Sequence, residues 1–68
     1  MKPSEIRPGD RIIYRDFGCR IKGIVRAVEE IDPEPGMAEY TYRIRFIDGS
    51  SGLMRRTGDY KSWIPDNK

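Results

Sequence analysis

Arg43, Arg45, Arg55 and Arg56 fall within the stretch Tyr40 to Arg56, which holds one carboxylate, Asp48. A guanidinium is always charged and offers its donors in a planar fork, so arginines sharing a surface, here Arg43, Arg45 and whichever one of Arg55 and Arg56 the register after "DGSSG" puts beside them, grip phosphate oxygens. Lys22 and Arg26 share a parity in an upstream alternating segment, and Arg20 opens that segment, so all three extend the same surface. The carboxylates are kept apart: Glu29 to Glu39 carries five acidic residues and no basic one. The chemistry this implies is contact with the phosphates of DNA, RNA or a nucleoprotein, with little reading of bases. Tyr40 and Tyr60 are the rings placed to stack on an unpaired base.

The acidic segment carries a different reading. Asp32 and Glu34 can dock on a basic protein partner, with Met37 and the neighbouring prolines giving an apolar contact that needs little ordering. Catalysis is poorly provided for. The chain has no histidine, and carboxylate pairs such as Asp16 with Asp48, or Glu29 and Glu30 with Asp32, are explained by turn capping and solubility. Cys19 is the only cysteine, which excludes an intrachain disulfide and, without histidine, the usual zinc ligands. The glycine-rich "DGSSG" lacks the lysine and following helix of a phosphate loop. The expectation is a non-catalytic binding module without metal or cofactor.

These side chains need strands to position them. Pro8-Gly9 suits the centre of a type II turn, after which Asp10 to Asp16 alternates Ile12 and Tyr14 against Arg11, Ile13 and Arg15. Arg20 to Glu30 is longer and apolar on both parities, as expected of a strongly bent strand whose two ends belong to opposite halves of a small barrel. "IDPEPGMAE" contains two prolines and a glycine and reads as a surface loop. "YTYRIRFID" is the clearest strand, with Tyr42, Ile44 and Phe46 inward and Arg43 and Arg45 outward. "LMRRT" follows the Asp48-Gly49 turn, and Trp63-Ile64 closes the regular region before Pro65. With 68 residues there is room for one domain, residues 1–68 with a core near 6–64. Five short strands bury an interior best when curled into a small five-stranded barrel with a long acidic loop between strands 2 and 3.

Pro8-Gly9-Asp10-Arg11-Ile12, Gly23-Ile24-Val25 and Tyr42 to Gly49 together resemble the SH3-like barrel group that includes Tudor and KOW-type domains. The resemblance implies a closed all-β barrel and binding of nucleic acid, modified or proline-rich peptides, or larger assemblies. A methyl-lysine cage of the Tudor kind would draw on Tyr14, Phe17, Tyr60 and Trp63, but the loop Gly49 to Gly52 offers no ring to complete it. Ile13, Ile24 and Ile47 fall on the outward parity and suit a weak homodimer contact. No run approaches the ~20 apolar residues of a membrane span, and the expected location is cytoplasmic.

The alternation in Tyr40 to Ile47 makes a direct prediction. Phe46→Asp should abolish cooperative thermal unfolding, whereas Arg45→Ser should change stability by no more than about 0.5 kcal/mol. Equal losses in the two variants, measured by circular dichroism, would reverse the assigned facing.

Overall fold

The structure, a computed structural model, describes residues 1–16 and 18–66. The ring of Phe17 and the carboxylate of Asp16, weighed above for a cage and for a carboxylate pair, lie outside what is described. After a 3-10 turn at Pro3–Glu5 come five strands: β1 (Arg11–Asp16), β2 (Cys19–Glu30), β3 (Tyr40–Phe46), β4 (Ser51–Arg55) and β5 (Trp63–Pro65). The turn before β1 forms because Gly9 takes φ 96° while the Asp10 amide donates to the Arg7 carbonyl at 3.1 Å. The Asp10 carboxylate caps the same turn, accepting from the Arg7 amide at 2.9 Å. Between β3 and β4, Gly49 at φ 92° and the Asp48 carboxylate, which accepts from the Ser50 amide at 2.9 Å, close a short hairpin.

All pairings are antiparallel, in the order β4-β3-β2-β1-β5. The outer strands β4 and β5 do not pair with each other, so the sheet is open, and the closed SH3-like barrel expected from the resemblance is not what the chain forms. The Tudor and KOW assignment falls with it. The reason lies in β5. It is three residues long, pairs with β1 through Tyr14–Trp63, Ile13–Ile64 and Ile12–Pro65, and ends at a proline that lacks the amide needed to extend a ladder.

β2 is the strand on which both halves depend. Cys19 to Ile24 pairs with β1, and Val25 to Glu30 pairs with β3. Between Val25 and Ala27 the register against β3 shifts, leaving Arg26 as the extra residue of a bulge. Inward parity therefore passes from Gly23 and Val25, before the bulge, to Val28 after it, which accounts for the apolar residues on both parities. A second shift between Tyr40 and Tyr42 makes Thr41 the extra residue opposite β4.

The core is Ile6, Ile12, Val25, Ile44, Phe46, Met54 and Trp63, with Met1, Tyr14, Ile21, Val28 and Tyr42 packed against it. Trp63 is 1% exposed, its ring centroid 4.4 Å from that of Tyr14 and 6.1 Å from that of Phe46. Its Nε1–H donates to the Leu53 carbonyl on β4 at 3.4 Å. The two outer strands thus meet through a side chain and not through a ladder. Among the described residues no helix is long and apolar enough to cross a membrane.

Glycine at position 52 is required by that contact. A Cβ there would stand 2.9 Å from Trp63 Cζ2 and 3.1 Å from Tyr14 Cε2. Gly52→Ala should destabilise the fold by about 1 to 3 kcal/mol, the usual cost of overpacking, while Ser51→Ala, one residue away and exposed, should be close to neutral. Denaturant melts that leave the two variants equal would show that the rings move aside without loss.

Candidate nucleic-acid interface

The outward face of β3 holds Arg43 and Arg45 as expected, but their neighbours differ from the expected arrangement. Arg43 is opposite Glu29 on β2 and Leu53 on β4, while Arg45 is opposite Ala27 and Ser51. Glu29 leans across to Arg45, with Nε 2.8 Å from Oε1. Arg55 shares the outward parity of Leu53, so it is the member of the Arg55/Arg56 pair on this face. Its guanidinium carbon lies 5.3 Å from the Tyr40 ring centroid, and Nη2 donates to the Tyr40 hydroxyl at 3.2 Å. Arg55 Nε is also 3.3 Å from Glu39 Oε1, an ion pair without hydrogen-bond alignment. Arg56 lies beyond the strand end, its amide donating to the Glu39 carbonyl at 3.2 Å.

Acid and base are therefore interleaved here, not segregated. The β2–β3 loop folds as consecutive turns, the Met37 amide bonding to Glu34 and the Tyr40 amide to Met37. Asp32, Glu34 and Met37 come to line a small pocket with Tyr40, Arg43 and Leu53. The acidic loop residues and the centre of the expected phosphate surface are neighbours.

A second basic surface forms on the outward face of β1 and β2. Arg15 is directly opposite Arg20, Ile13 opposite Lys22, and Arg11 opposite Ile24. Since Ile12, Tyr14, Ile21, Gly23 and Val25 point to the core, these six residues share the other face. Arg11, Arg15, Arg20 and Lys22 are all exposed. Lys22 Nζ lies 3.5 Å from Asp66 Oδ2, whereas Arg15 and Arg20 have no ion pair among the described side chains. Arg11 and Arg15 were absent from the expected surface although their outward parity is legible in the sequence. The missing information was the register that sets Arg15 across from Arg20. Arg26 is exposed at the β2 bulge.

The outward isoleucines lie on this same face. Ile24 and Ile47 line a groove of about 420 Å³ with Arg11, Lys22, Asp48 and Asp66, and Ile47 is 62% exposed. Ile13 is flanked by Lys22 and Ile64.

Of the rings, Tyr40 is occupied by Arg55, while Tyr60 is 69% exposed. The turn that presents Tyr60 is anchored to β1, where the Arg15 amide donates to the Ser62 carbonyl at 2.8 Å. Tyr14 and Trp63 are packed together in the interior and form no open cage. Cys19 is exposed at the start of β2. Among the described residues no group of three or more His, Cys, Asp or Glu side chains is placed to hold a metal ion. Compared with known proteins, the chain matches no family model, no curated protein and no solved structure.

The Tyr60 turn has a titratable anchor. Burial alone would push the Asp59 carboxyl up, but the amides of Ser62 and Lys61, both donating at 2.9 Å, together with the Ser62 hydroxyl, hold it below its ordinary value. A carboxyl lowered in the folded state binds protons more readily when unfolded. Its stabilisation is therefore complete above the ordinary value near pH 4 and is lost as pH falls through the lowered one. Asp59→Asn should flatten the acid limb of a plot of melting temperature against pH. An acid limb of undiminished slope would mean that other carboxyls carry it.

Proposed function

We propose that this chain is a non-catalytic binding module that contacts the phosphates of nucleic acid, or of a nucleoprotein, through a basic sheet face centred on β1 and β2. The observation that carries the reading is the Arg15–Arg20 pair. Like charges placed directly opposite on a ladder repel, so an anion bridging them relieves a cost that the folded chain otherwise bears. Lys22 and Arg11 continue the face along the strands, Arg26 flanks it at the bulge, and Tyr60 supplies an exposed ring in the adjoining turn. Arg43, Arg45, Arg55 and Arg56 contribute less, because Arg45 and Arg55 must first leave Glu29 and Glu39.

Contacts made by guanidinium forks on a broad face reach backbone oxygens and leave base edges unread. Binding should therefore be weak, tolerant of sequence and sensitive to salt. Titration with short single- and double-stranded DNA and RNA should give micromolar or weaker affinity. The log-affinity should fall with log-salt at a slope of roughly two to four, for the few phosphates so small a surface can neutralise. Arg15→Glu with Arg20→Glu should abolish binding in a variant shown to be folded, and Arg43→Glu with Arg45→Glu should weaken it less. Absence of binding at low salt, or an unaffected Arg15/Arg20 variant, would reject this function.

A further inference from the structure

The Arg15 amide donates to the Ser62 carbonyl, on the side of β1 away from β2. Arg15 and Arg20 are therefore a non-hydrogen-bonded pair of the β1–β2 ladder, the kind whose Cα atoms stand about 4.5 Å apart and whose side chains approach most closely. The same hydrogen bond fixes where Tyr60 stands. Ser62 is about 5.5 Å from Arg15 across the ladder and Tyr60 comes two residues before it, so the Cα atoms of Tyr60 and Arg15 lie within about 13 Å. The Asp59 carboxylate holds this turn by accepting from the Lys61 and Ser62 amides, both at 2.9 Å. The exposed Tyr60 ring is thus carried on a tethered turn. Lys61, beside it, is exposed and has no ion pair among the described side chains. Carboxylates bound this basic end on both sides. Lys22 is engaged by Asp66, and Asp48 lines the same groove. At the far end of β2, Glu30, Asp32 and Glu39 line an acidic cleft.

We propose that this end of the sheet selects single-stranded nucleic acid, one phosphate bridging the Arg15 and Arg20 guanidiniums while a neighbouring unpaired base stacks on Tyr60. The inference rests on the phosphate-binding reading above and adds to it which form of nucleic acid is held. Two guanidinium forks side by side offer donors to both free oxygens of one phosphodiester, and its charge relieves their repulsion. A duplex presents the same phosphate but keeps its bases paired and stacked on one another, so the ring gains nothing from it. An unpaired strand presents phosphate and base together, and any base serves because each has a π-face. Lys61 stands beside the ring to meet a further phosphate. The bounding carboxylates repel a second backbone along the same face, which a duplex would bring and a single strand does not.

The test follows the amide NMR signals of the full chain at low salt during titration with four unlabelled probes. These are short oligothymidylate, short oligouridylate, an abasic sugar–phosphate strand of equal length, and a duplex of equal phosphate count. The thymidylate and uridylate strands should shift the amides of Arg15, Arg20, Tyr60 and Lys61 and bind about fivefold or more tightly than the abasic strand and the duplex, as one base stacked on one ring provides. Whichever of the two binds more tightly names DNA or RNA as the source, and either supports the selection. Tyr60→Ala should reduce both to the affinity of the abasic strand, with abasic binding and melting temperature unchanged, and Tyr60→Phe should keep the preference. Equal binding of all four probes, tighter binding of the duplex, or a Tyr60→Ala variant that retains the preference would overturn the single-strand selection and leave the phosphate reading standing. A preference lost as fully in Tyr60→Phe as in Tyr60→Ala would assign the contact to the hydroxyl and overturn stacking. Binding of none of the probes would overturn both readings together.

Discussion

Trp63 resting on Gly52 is the contact on which the architecture turns. The sheet is open, with β4 and β5 at opposite edges, and an open twisted sheet of five short strands cannot by itself exclude water from one face. The indole spans that gap. It packs against Tyr14 and Phe46, meets the bare backbone at Gly52 and donates to the Leu53 carbonyl. A ring of this size buries roughly 150 to 250 Å², worth roughly 4 to 6 kcal/mol as an upper figure. That is comparable with the whole net stability of about 5 kcal/mol at the lower end for folded domains. The donation to Leu53 also satisfies one carbonyl on an edge strand that would otherwise invite pairing with another chain.

The two bulges decide which charges this sheet presents side by side. Without Arg26 as an extra residue, Ala27 and Glu29 would face the core and Val28 would face water. With it, Glu29 comes to the outward side of β2, beside Arg45. The bulge that preserves the core thus neutralises part of the β3 basic face and leaves the β1–β2 half as the stronger cationic surface. At Thr41 the second bulge commits a backbone carbonyl to the loop and strands a hydroxyl beside three carboxylates. Neither feature is an ornament of the ladder, since each determines which charges are neighbours.

Period two, turn glycines and β-branched residues made the strands legible in the sequence, and the facing of Ile12, Ile44 and Phe46 followed from alternation alone. Closure was not legible, because whether β4 meets β5 depends on a contact between Gly52 and Trp63, eleven positions apart in sequence, and on Pro65 ending the last strand. Arg43 and Arg45 were correctly turned outward, yet the carboxylates beside them depended on the bulge at Arg26 and on how the Asp32 to Glu39 loop folds back. Arg15 and Arg20 lie in two different strands, and only the register of the hairpin makes them neighbours. Thr41 carried no signal at all, since a threonine in a strand is ordinary until its backbone is seen to bulge.

The net charge of +2 describes neither end of this molecule. The longest dimension is 36 Å, and β2 runs twelve residues from the Arg15–Arg20 hairpin end to the acidic cleft at Glu30. At physiological ionic strength exposed charges are screened over about 8 Å. The carboxylates at one end therefore do little to offset the arginines at the other, and an approaching ligand responds to the end it meets. Within the β3 face the spacing is the reverse, since Glu29 touches Arg45 and Glu39 reaches Arg55. Both pairs are partly exposed and each contributes little to stability, but the contact occupies a guanidinium that a phosphate would need. Distance relative to screening, and not the total of charged residues, is what separates the Arg15–Arg20 surface from the ion-paired β3 face in this chain.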